Sequence, residues 1–444
     1  MAGDLINGEI PDHWEFTTLG EICQRGGGNI QTGPFGSQLH ASDYVPVGVP
    51  SIMPTNIGEN RIVEDGIVRI TEEDANRLGQ HRLRAGDIIY SRRGDVEKRA
   101  LIREREEGWF CGTGCLKVRL GSGVVDPLFA SLFLGHPAIR EWIVRHAVGA
   151  TMPNLNTAIM SAVPFALPPL AEQKAIAAVL GALDDKIECN RRMNATLEAM
   201  ARALFQSWFV DFDLVRAKLD GRPPAALFPD SFQDSPLGHI PKGWETGSIL
   251  RQADLLSGGT PKTDVPAYWN GDVPWASAKD VSQCGEAFLV STERTITKKG
   301  VAESSTKIIP ANATVVVARG ATTGRLTMFG HAMAMNQTCY GLRSKVGAPF
   351  ALYCNARHFI ERLVQGGHGS IFDTITTSTF EATDVLLAPK EVLLVFDKQV
   401  TPLFQQVHAN LHQSRTLATL RDTLLPKLLS GKLSLAGRQQ EVSA

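Results

Sequence analysis

An internal repeat constrains the fold of this chain more than any other feature of its sequence. The segment Pro11–Glu15 returns as Pro241–Glu245 at an offset of 230, and Arg93-Gly94 returns as Arg319-Gly320 at an offset of 226. Self-similarity over such a distance indicates two copies of one structural unit. The offset varies along the strand-rich part of each copy, so that part tolerates insertions and deletions.

Each copy ends in a long helical pattern, which recurs at a fixed offset of 220. Apolar residues recur at alternating spacings of four and three along a stripe that we call the seam. The first seam contains Ile176, Leu180, Leu183, Ile187, Asn190, Asn194, Leu197, Ala201, Leu204 and Trp208. The second contains Phe396, Val400, Leu403, Val407, Asn410, Ser414, Leu417, Arg421, Leu424 and Leu428. A 3.5-residue period over more than four heptads predicts a coiled coil.

Both seams become polar at the same two positions. If the helices pair antiparallel about the centre of the seam, Asn190 meets Ser414 and Asn194 meets Asn410. A polar residue in a seam fixes the register of the helices at a cost in stability. Alternatively, these side chains face solvent at a break in the seam.

Proline and glycine mark the ends of the predicted helices. Pro168-Pro169 and Pro389 precede them, and Ser430-Gly431 is a plausible C-cap. Pro402 predicts a kink or a restart early in the second helix. Within the lobes, the apolar runs Asp87–Ser91 and Thr314–Ala318 predict strands.

We therefore predict an α+β fold, in which two mixed, β-rich domains are separated by two long helices that form an antiparallel coiled coil with pseudo-two-fold symmetry. The expected boundaries are domain 1 at 1–170, a central helix at 171–219, a linker at 220–239, domain 2 at 240–389, a distal helix at 390–435 and a flexible tail at 436–444.

Composition narrows the possible functions. The 45 Lys and Arg residues are balanced by 46 Asp and Glu residues, which argues against a uniformly basic binder but not against local basic faces. The seven cysteines include no C-x-x-C pair and indicate reduced thiols in a cytoplasmic protein. Cys111 and Cys115 lack a second pair at zinc spacing, so no metal site is expected. The N-terminal residues do not resemble a signal peptide, and no apolar run is long enough to span a membrane.

No catalytic motif is recognisable in the sequence. Phosphate-loop, dinucleotide-binding, nucleophile-elbow and zinc-protease patterns are absent, as is an Asn-Pro-Pro-aromatic loop of the kind that amino-methyltransferases use. The sequence therefore predicts no enzyme activity and no catalytic residue.

Positive charge is nonetheless concentrated at equivalent places in the two copies. The segment 81–105 has eight Lys and Arg residues against four acidic ones, and 298–325 has five against one. Such stretches suit phosphate contacts, although each could also be an ordinary solvated face.

Two glycine-containing loops, 31–38 and 257–263, add polar groups that could contact base edges or could be simple turns. The candidate DNA-binding residues are Gln31, Thr32, Ser37, Gln38, Arg92, Arg93, Lys98, Arg99, Lys262, Thr263, Lys279, Arg319, Thr322, Thr323 and Arg325.

Several motifs resemble those of one known family, the specificity subunits of type I restriction-modification systems. The run Pro168–Ile176 with its continuation to Phe209 resembles the central conserved region of that family, and Thr423–Leu433 resembles its C-terminal conserved region. The openings of both lobes also fit, at Thr32–Leu39 and at Ser257–Pro261 followed by Tyr268–Trp275. One departure is Arg421, which occupies a seam position.

The resemblance implies a non-catalytic subunit whose two lobes each recognise one half of a split, asymmetric site in double-stranded DNA. The helices would set the gap and join two methylation subunits, with restriction subunits as further partners. S-adenosylmethionine, ATP and Mg would then bind those partners and not this chain. One alternative is a coiled-coil protein-interaction scaffold that does not recognise DNA, and another is a self-sufficient methyltransferase or nuclease.

Overall fold

The computed structural model describes residues 11–149, 151–221, 227–366 and 374–433. These residues divide into two compact units. Unit 1 combines the described residues up to Lys186 with those from Leu417 onward, and unit 2 comprises Ile187–Thr416. Each of the two long helices therefore contributes one segment to each unit. The expected tail at 436–444 lies outside the described residues.

Unit 1 contains short strands and helices between Glu15 and Leu167. Its strands are β1 Glu15–Thr18, β2 Gly27–Thr32, β3 Tyr44–Val45, β4 Val49–Ile52, β5 Val68–Ile70, β6 Ile88–Ser91, β7 Arg99–Leu101, β8 Phe110–Cys111, β9 Cys115–Gly121 and β10 Pro164–Leu167. Its short helices are α1 Leu19–Gly26, α2 Glu72–Arg77, α3 Pro127–Leu134, α4 Pro137–His146 and α5 Thr157–Ser161. Single 3₁₀ turns occur at Ala41–Asp43, Pro54–Asn56, Gly79–His81 and Glu104–Glu106.

Two four-stranded sheets form the centre of unit 1. Their strand orders are β2-β9-β6-β7 and β3-β5-β4-β8, and β1 pairs separately with β10. Strand β6 is buried throughout, which confirms the strand predicted at Asp87–Ser91. Residues of β6 share a hydrophobic core with residues of α3. Helix α3 begins with Asp126 as its N-cap and Pro127 in its first turn, which is a common start for a helix.

Unit 2 repeats this arrangement with small additions. Its strands are β11 Phe232–Ser235, β12 Gly238–Pro241, β13 Glu245–Ser248, β14 Ala253–Ser257, β15 Trp269–Ala276, β16 Phe288–Leu289, β17 Arg294–Ile296, β18 Ile308–Ile309, β19 Thr314–Val317, β20 Leu326–Phe329, β21 Met333–Met335, β22 Cys339–Ser344 and β23 Asp384–Leu387. Its short helices are α7 Asp213–Leu219, α8 Ala278–Gln283, α9 Lys298–Ala302, α10 Pro349–Gly366 and α11 Thr377–Ala382, with 3₁₀ turns at Ile249–Arg251 and Pro266–Tyr268.

The sheets of the two units share most of their topology. The order β14-β22-β19-β20-β16 matches β2-β9-β6-β7 with one added strand, and β13 pairs with β23 as β1 pairs with β10. The parallel pair Ser51↔Phe110 corresponds to Trp275↔Ala334, with both partners offset by 224 (275 minus 51). This correspondence confirms the internal repeat and the α+β class.

The hairpin β11–β12 begins in the segment 220–239, which the sequence predicted as a linker, and ends at Pro241 in the predicted domain 2. From this hairpin, Ile240 belongs to the core of unit 2, and the partly buried Phe232 packs against that core. The Pro, Gly, Ser and Asp content of the segment indicated a linker, and composition alone did not show that residues 232–235 pair with 238–241.

The long helices are α6, Leu170–Phe209, and α12, Lys390–Leu429. In unit 1, Ile176 and Leu180 of α6 share a core with Leu428 and Leu429 of α12. Pro402 neither interrupts nor restarts α12. The helix ends at Leu429, directly before the predicted cap Ser430-Gly431 and short of the expected boundary at 435; Gly431 has a φ of +69°.

The predicted polar pairs are hydrogen-bonded in unit 2. Asn190 Nδ2 lies 3.2 Å from Ser414 Oγ, to which it donates, and Asn410 Nδ2 donates to Asn194 Oδ1 at 2.9 Å. Both contacts require antiparallel helices, in the register that the sequence predicted. The alternative in which the asparagines face solvent is wrong, because Asn190, Asn194 and Asn410 are all buried. Among the described helices, none is both long enough and apolar enough to cross a bilayer.

Candidate nucleic-acid interface

Three chain segments meet at the ends of the central strands of unit 1. Gly33 N–H donates to Cys115 O at 2.9 Å, and Arg92 N–H donates to Gly114 O at 2.8 Å. The turn between β8 and β9 therefore holds the loop after β2 beside the turn after β6. We call residues 33–38, 92–94 and 112–114 the loop edge of unit 1.

The polar candidates of the first loop differ in accessibility. Gln31 and Thr32 are half-buried at the end of β2, whereas Ser37 is exposed. Gln38 Oε1 accepts the N–H of Phe35 at 3.1 Å, so this amide oxygen stabilises its own loop. Of these four side chains, Ser37 is therefore the most accessible to a ligand at the edge.

The basic candidates of unit 1 separate into three groups. Arg93 is exposed, Arg92 is half-buried, and neither has an ion pair with any described residue. Lys98 is exposed but already pairs with Asp95 at 2.6 Å. Arg92 and Arg93 are thus the stronger candidates for phosphate contacts.

The structure corrects the candidate Arg99. Its side chain is 7% exposed, and its Nε donates to the main-chain oxygen of Ser131 at 2.6 Å. Burial lowers its pKa, as expected for a cation removed from water. Arg99 holds β7 against α3 inside the unit and is not a surface contact.

Ion pairs also neutralise much of the remaining charge in segment 81–105. Arg82 binds Glu72, Arg103 binds Asp185 at 2.8 Å, and Arg105 binds Glu106 at 2.5 Å. The positive charge counted from the sequence therefore overstates what unit 1 presents to a ligand.

Unit 2 has a corresponding edge. Gly259 N–H donates to Met335 O at 2.9 Å, and Ala318 N–H donates to Thr338 O at 2.8 Å. Thr260 Oγ1 donates to Gln337 Oε1, which joins the loop to the turn between β21 and β22. We call residues 257–263, 319–325 and 336–338 the loop edge of unit 2.

Most predicted residues of unit 2 are exposed at this edge. Lys262, Thr263, Arg319, Thr322 and Arg325 are all exposed, and none of the three cations has an ion pair with a described residue.

Two further candidates of unit 2 have internal partners. Thr323 is half-buried, and its hydroxyl donates to Gly320 O at 2.7 Å. Lys279 lies on α8 and pairs with Glu293 at 2.7 Å, and the hydrogen bond to Glu293 raises its pKa. These contacts make both residues weaker candidates than Arg319.

Two residues at or near this edge were not among the sequence candidates. Gln337 is exposed on the turn that joins the other loops. The guanidinium of Arg294 lies 3.6 Å from the ring centroid of Trp269, an arrangement that stabilises through cation–π attraction. A lone glutamine in a turn and a lone arginine in a short strand carry no sequence pattern that would have identified them.

Cys111 and Cys115, the two thiols that lie closest together in the sequence, are buried in unit 1. Cys115 Sγ donates to Ile52 O at 3.2 Å, and burial raises the pKa of Cys111 to about 12. Both are therefore protonated at neutral pH, whereas a metal needs a thiolate. Throughout the described ranges, no group of three or more His, Cys, Asp or Glu residues is placed to hold a metal ion.

Comparison with known proteins agrees with this architecture. The profile of the family described as Type I restriction modification DNA specificity domain matches residues 11–199 and again residues 241–418. The chain is 25% identical over 442 residues to the Type I restriction enzyme HindI specificity subunit of Haemophilus influenzae, covering 86% of this chain and 95% of that protein. It is 24% identical over 450 residues to the Type I restriction enzyme MjaIX specificity subunit of Methanocaldococcus jannaschii, covering 96% and 95%.

The fold is also similar to a solved structure, the S subunit of a type I restriction-modification system from M. genitalium. The TM-score is 0.56 at 16% identity, with 95% of this chain and 97% of that chain covered. Because the family profile matches both copies of the repeat and most of the sequence, the chain belongs to the type I restriction-modification DNA specificity family.

Proposed function

We propose that this chain is the DNA sequence-specificity subunit of a type I restriction-modification complex, and that each unit contacts one half of a bipartite, asymmetric site through its loop edge. One observation carries the proposal. The turns after β6 and β19 present Arg93 and Arg319 at equivalent positions, both exposed and both without an ion pair among the described residues. Two arginines at equivalent positions of the two units suit phosphate contacts at two places on one DNA duplex.

The two loop edges combine the two kinds of group that DNA recognition needs. Arg93 and Arg319 suit phosphate oxygens, which position a protein on the duplex without selecting sequence. Ser37, Thr263 and Gln337 are exposed polar side chains of the types that bond base edges. Because the two edges carry different polar residues, they would select different bases, as an asymmetric site requires.

The long helices would act as the spacer between half-sites and as the docking surface for two methylation subunits. A helix of 40 residues is about 60 Å long. Half-sites contacted from one face of a duplex lie about 34 Å apart or a multiple of that distance. The helices are therefore long enough to set the gap.

The chemistry would belong to the partners, and this chain would be non-catalytic. The methylation subunits would bind S-adenosylmethionine and flip the target adenine out of the stack. Restriction subunits, when present, would use ATP and Mg. Within this division of labour, the chain supplies selection and spacing.

A mobility-shift and footprinting experiment tests the proposal. The chain is assembled with its methylation subunits and incubated with duplexes that carry the adenine-methylated motif of its host. We expect protection of two short segments separated by an unprotected gap, and weaker binding after Arg93→Ala or Arg319→Ala. Failure of the assembled complex to protect any duplex would favour the alternative of a protein-interaction scaffold. Methyl transfer or cleavage by the purified chain alone would establish an enzyme.

A further inference from the structure

The loop edge of unit 1 presents an aromatic side chain to solvent. Phe35 is 57% exposed, although its neighbours Pro34 and Leu39 are buried. A phenyl ring in water forgoes the stabilisation that burial would give it. An isolated exposed apolar residue is ordinary, but this one lies on a proposed ligand-binding edge.

The backbone around Phe35 is held in place from both sides. Gln38 N–H donates to Phe35 O at 2.9 Å, and Gln38 Oε1 accepts the Phe35 N–H at 3.1 Å. Arg77 Nη2 donates to Gln38 O at 3.2 Å, which ties the loop to α2. Gly33 is bonded to Cys115 at the other end of the loop. The ring is therefore presented by a preorganised loop, which lowers the entropic cost of using it in binding.

A guanidinium group accompanies the ring. Arg92 Cζ lies 5.7 Å from the ring centroid of Phe35. Arg92 Nε is shielded from solvent, yet it has no hydrogen-bond acceptor in the part of the chain that the structure describes. A buried donor of this kind usually has a partner, so an acceptor from a ligand would complete it.

The ring is particular to unit 1. The corresponding loop of unit 2 carries Thr260, Pro261 and Lys262, and of these Pro261 is buried. An aromatic side chain is therefore not needed to build this loop in the repeated fold. Its presence in one copy alone points to a task specific to that copy.

Building on the proposed function, we propose that Phe35 stacks on a base at a distorted step within the half-site that unit 1 contacts. Every base has a π-face, and aromatic side chains and arginine guanidinium groups are the protein groups that stack on exposed bases. Proteins also insert Phe between base steps and partly unstack them. Phe35 would thus make one half-site sensitive to how easily its DNA distorts, beyond the hydrogen bonds of the loop edge.

The test uses the chain assembled with its methylation subunits, and duplexes in which 2-aminopurine replaces single adenines across both half-sites. The fluorescence of 2-aminopurine rises when the base is unstacked from its neighbours, and it changes again when an aromatic side chain stacks on the base. At positions other than the adenines that the methylation subunits flip, we expect a fluorescence change in one half-site only, which Phe35→Ala abolishes and Phe35→Trp retains. Phe35→Ala should weaken binding to the target duplex by roughly 5- to 150-fold, the range for loss of one base–aromatic stack.

Phe16→Ala is the matched control, because Phe16 lies on β1 and is 52% exposed. It should leave both the affinity and the fluorescence unchanged. The proposal is overturned if Phe35→Ala binds and fluoresces like the unmodified chain while Arg319→Ala still weakens binding, a result that keeps the proposed function. It is also overturned if Phe35→Ala prevents assembly with the methylation subunits, which would identify a protein contact. Absence of DNA binding by the unmodified complex would refute the proposed function and this inference together.

Discussion

The buried polar layer between α6 and α12 makes a quantitative prediction about stability. Asn410 Nδ2 donates to Asn194 Oδ1 at 2.9 Å, and Asn410 Oδ1 accepts from Gln406 Nε2 at 2.7 Å. Asn194 is 1% exposed and Asn410 is 4% exposed. Removing either side chain leaves the other amide buried with an unfulfilled hydrogen bond, which costs about 1–3 kcal/mol.

We therefore expect Asn194→Ala and Asn410→Ala each to lower the free energy of unfolding by about 1–3 kcal/mol. The double alanine variant should cost less than the sum of the two, by about 1 kcal/mol, because the second substitution leaves no amide stranded. Replacing both by Leu should be neutral or stabilising, since a polar seam position is maintained at a cost in stability. The Leu pair should also weaken the preference for one register.

Urea unfolding followed by far-ultraviolet circular dichroism measures these differences. The matched control is Thr416→Ala, an exposed position on the helix that carries Asn410, whose hydroxyl donates to His412 O of that same helix. It should change stability by less than ~0.5 kcal/mol. The buried amide pair does not stabilise the helices in this way if the single alanine variants are as stable as this control, or if the double Leu variant is less stable than either of them.

Three further predictions concern charge. Arg319→Ala should reduce the slope of log affinity against log salt concentration by about 1, because one phosphate contact is lost. Replacing Lys279, which is already ion-paired, should change this slope less. Salt titrations of duplex binding measure both slopes. Burial raises the pKa of Glu198, so its charge destabilises the fold as pH rises above the ordinary value of 4.5. Glu198→Gln should therefore be more stable at pH 7, and thermal melts should show this advantage disappearing as pH falls below that value. Arg421→Ala should cost about 2 kcal/mol in urea unfolding, because it strands the Asp184 carboxylate that Arg421 Nη1 binds at 2.8 Å. Adding Asp184→Asn should recover part of that loss.

The helices were predictable because their geometry depends on spacing alone. A seam with a fixed period specifies which residues face the partner helix. Its polar positions Asn190 and Asn194 also specify the register, because their hydrogen bonds form in one register of the two helices. The pattern did not settle the effect of Pro402. The helix continues through it because Val400 and Phe404 are buried on either side, and their packing offsets the lost hydrogen bond.

The candidate site was less predictable, because it depends on through-space partners. Arg93 and Arg99 are close in sequence and of one residue type, yet one is exposed and the other is buried against Ser131. Lys279 is neutralised by Glu293, 14 positions away, which a count of charges in a window cannot show. The sequence thus located the edges of the units but not which of their cations remain available.

In the proposed function, each unit selects one half of the DNA site independently of the other. The most direct test exchanges residues 1–170 for the corresponding lobe of a relative, expresses the hybrid with the same methylation subunits, and maps methylated adenines by sequencing the genome. Independent selection by the two units predicts that one half of the methylated motif changes while the other half and the gap are retained. A change in both halves, or in neither, would contradict it.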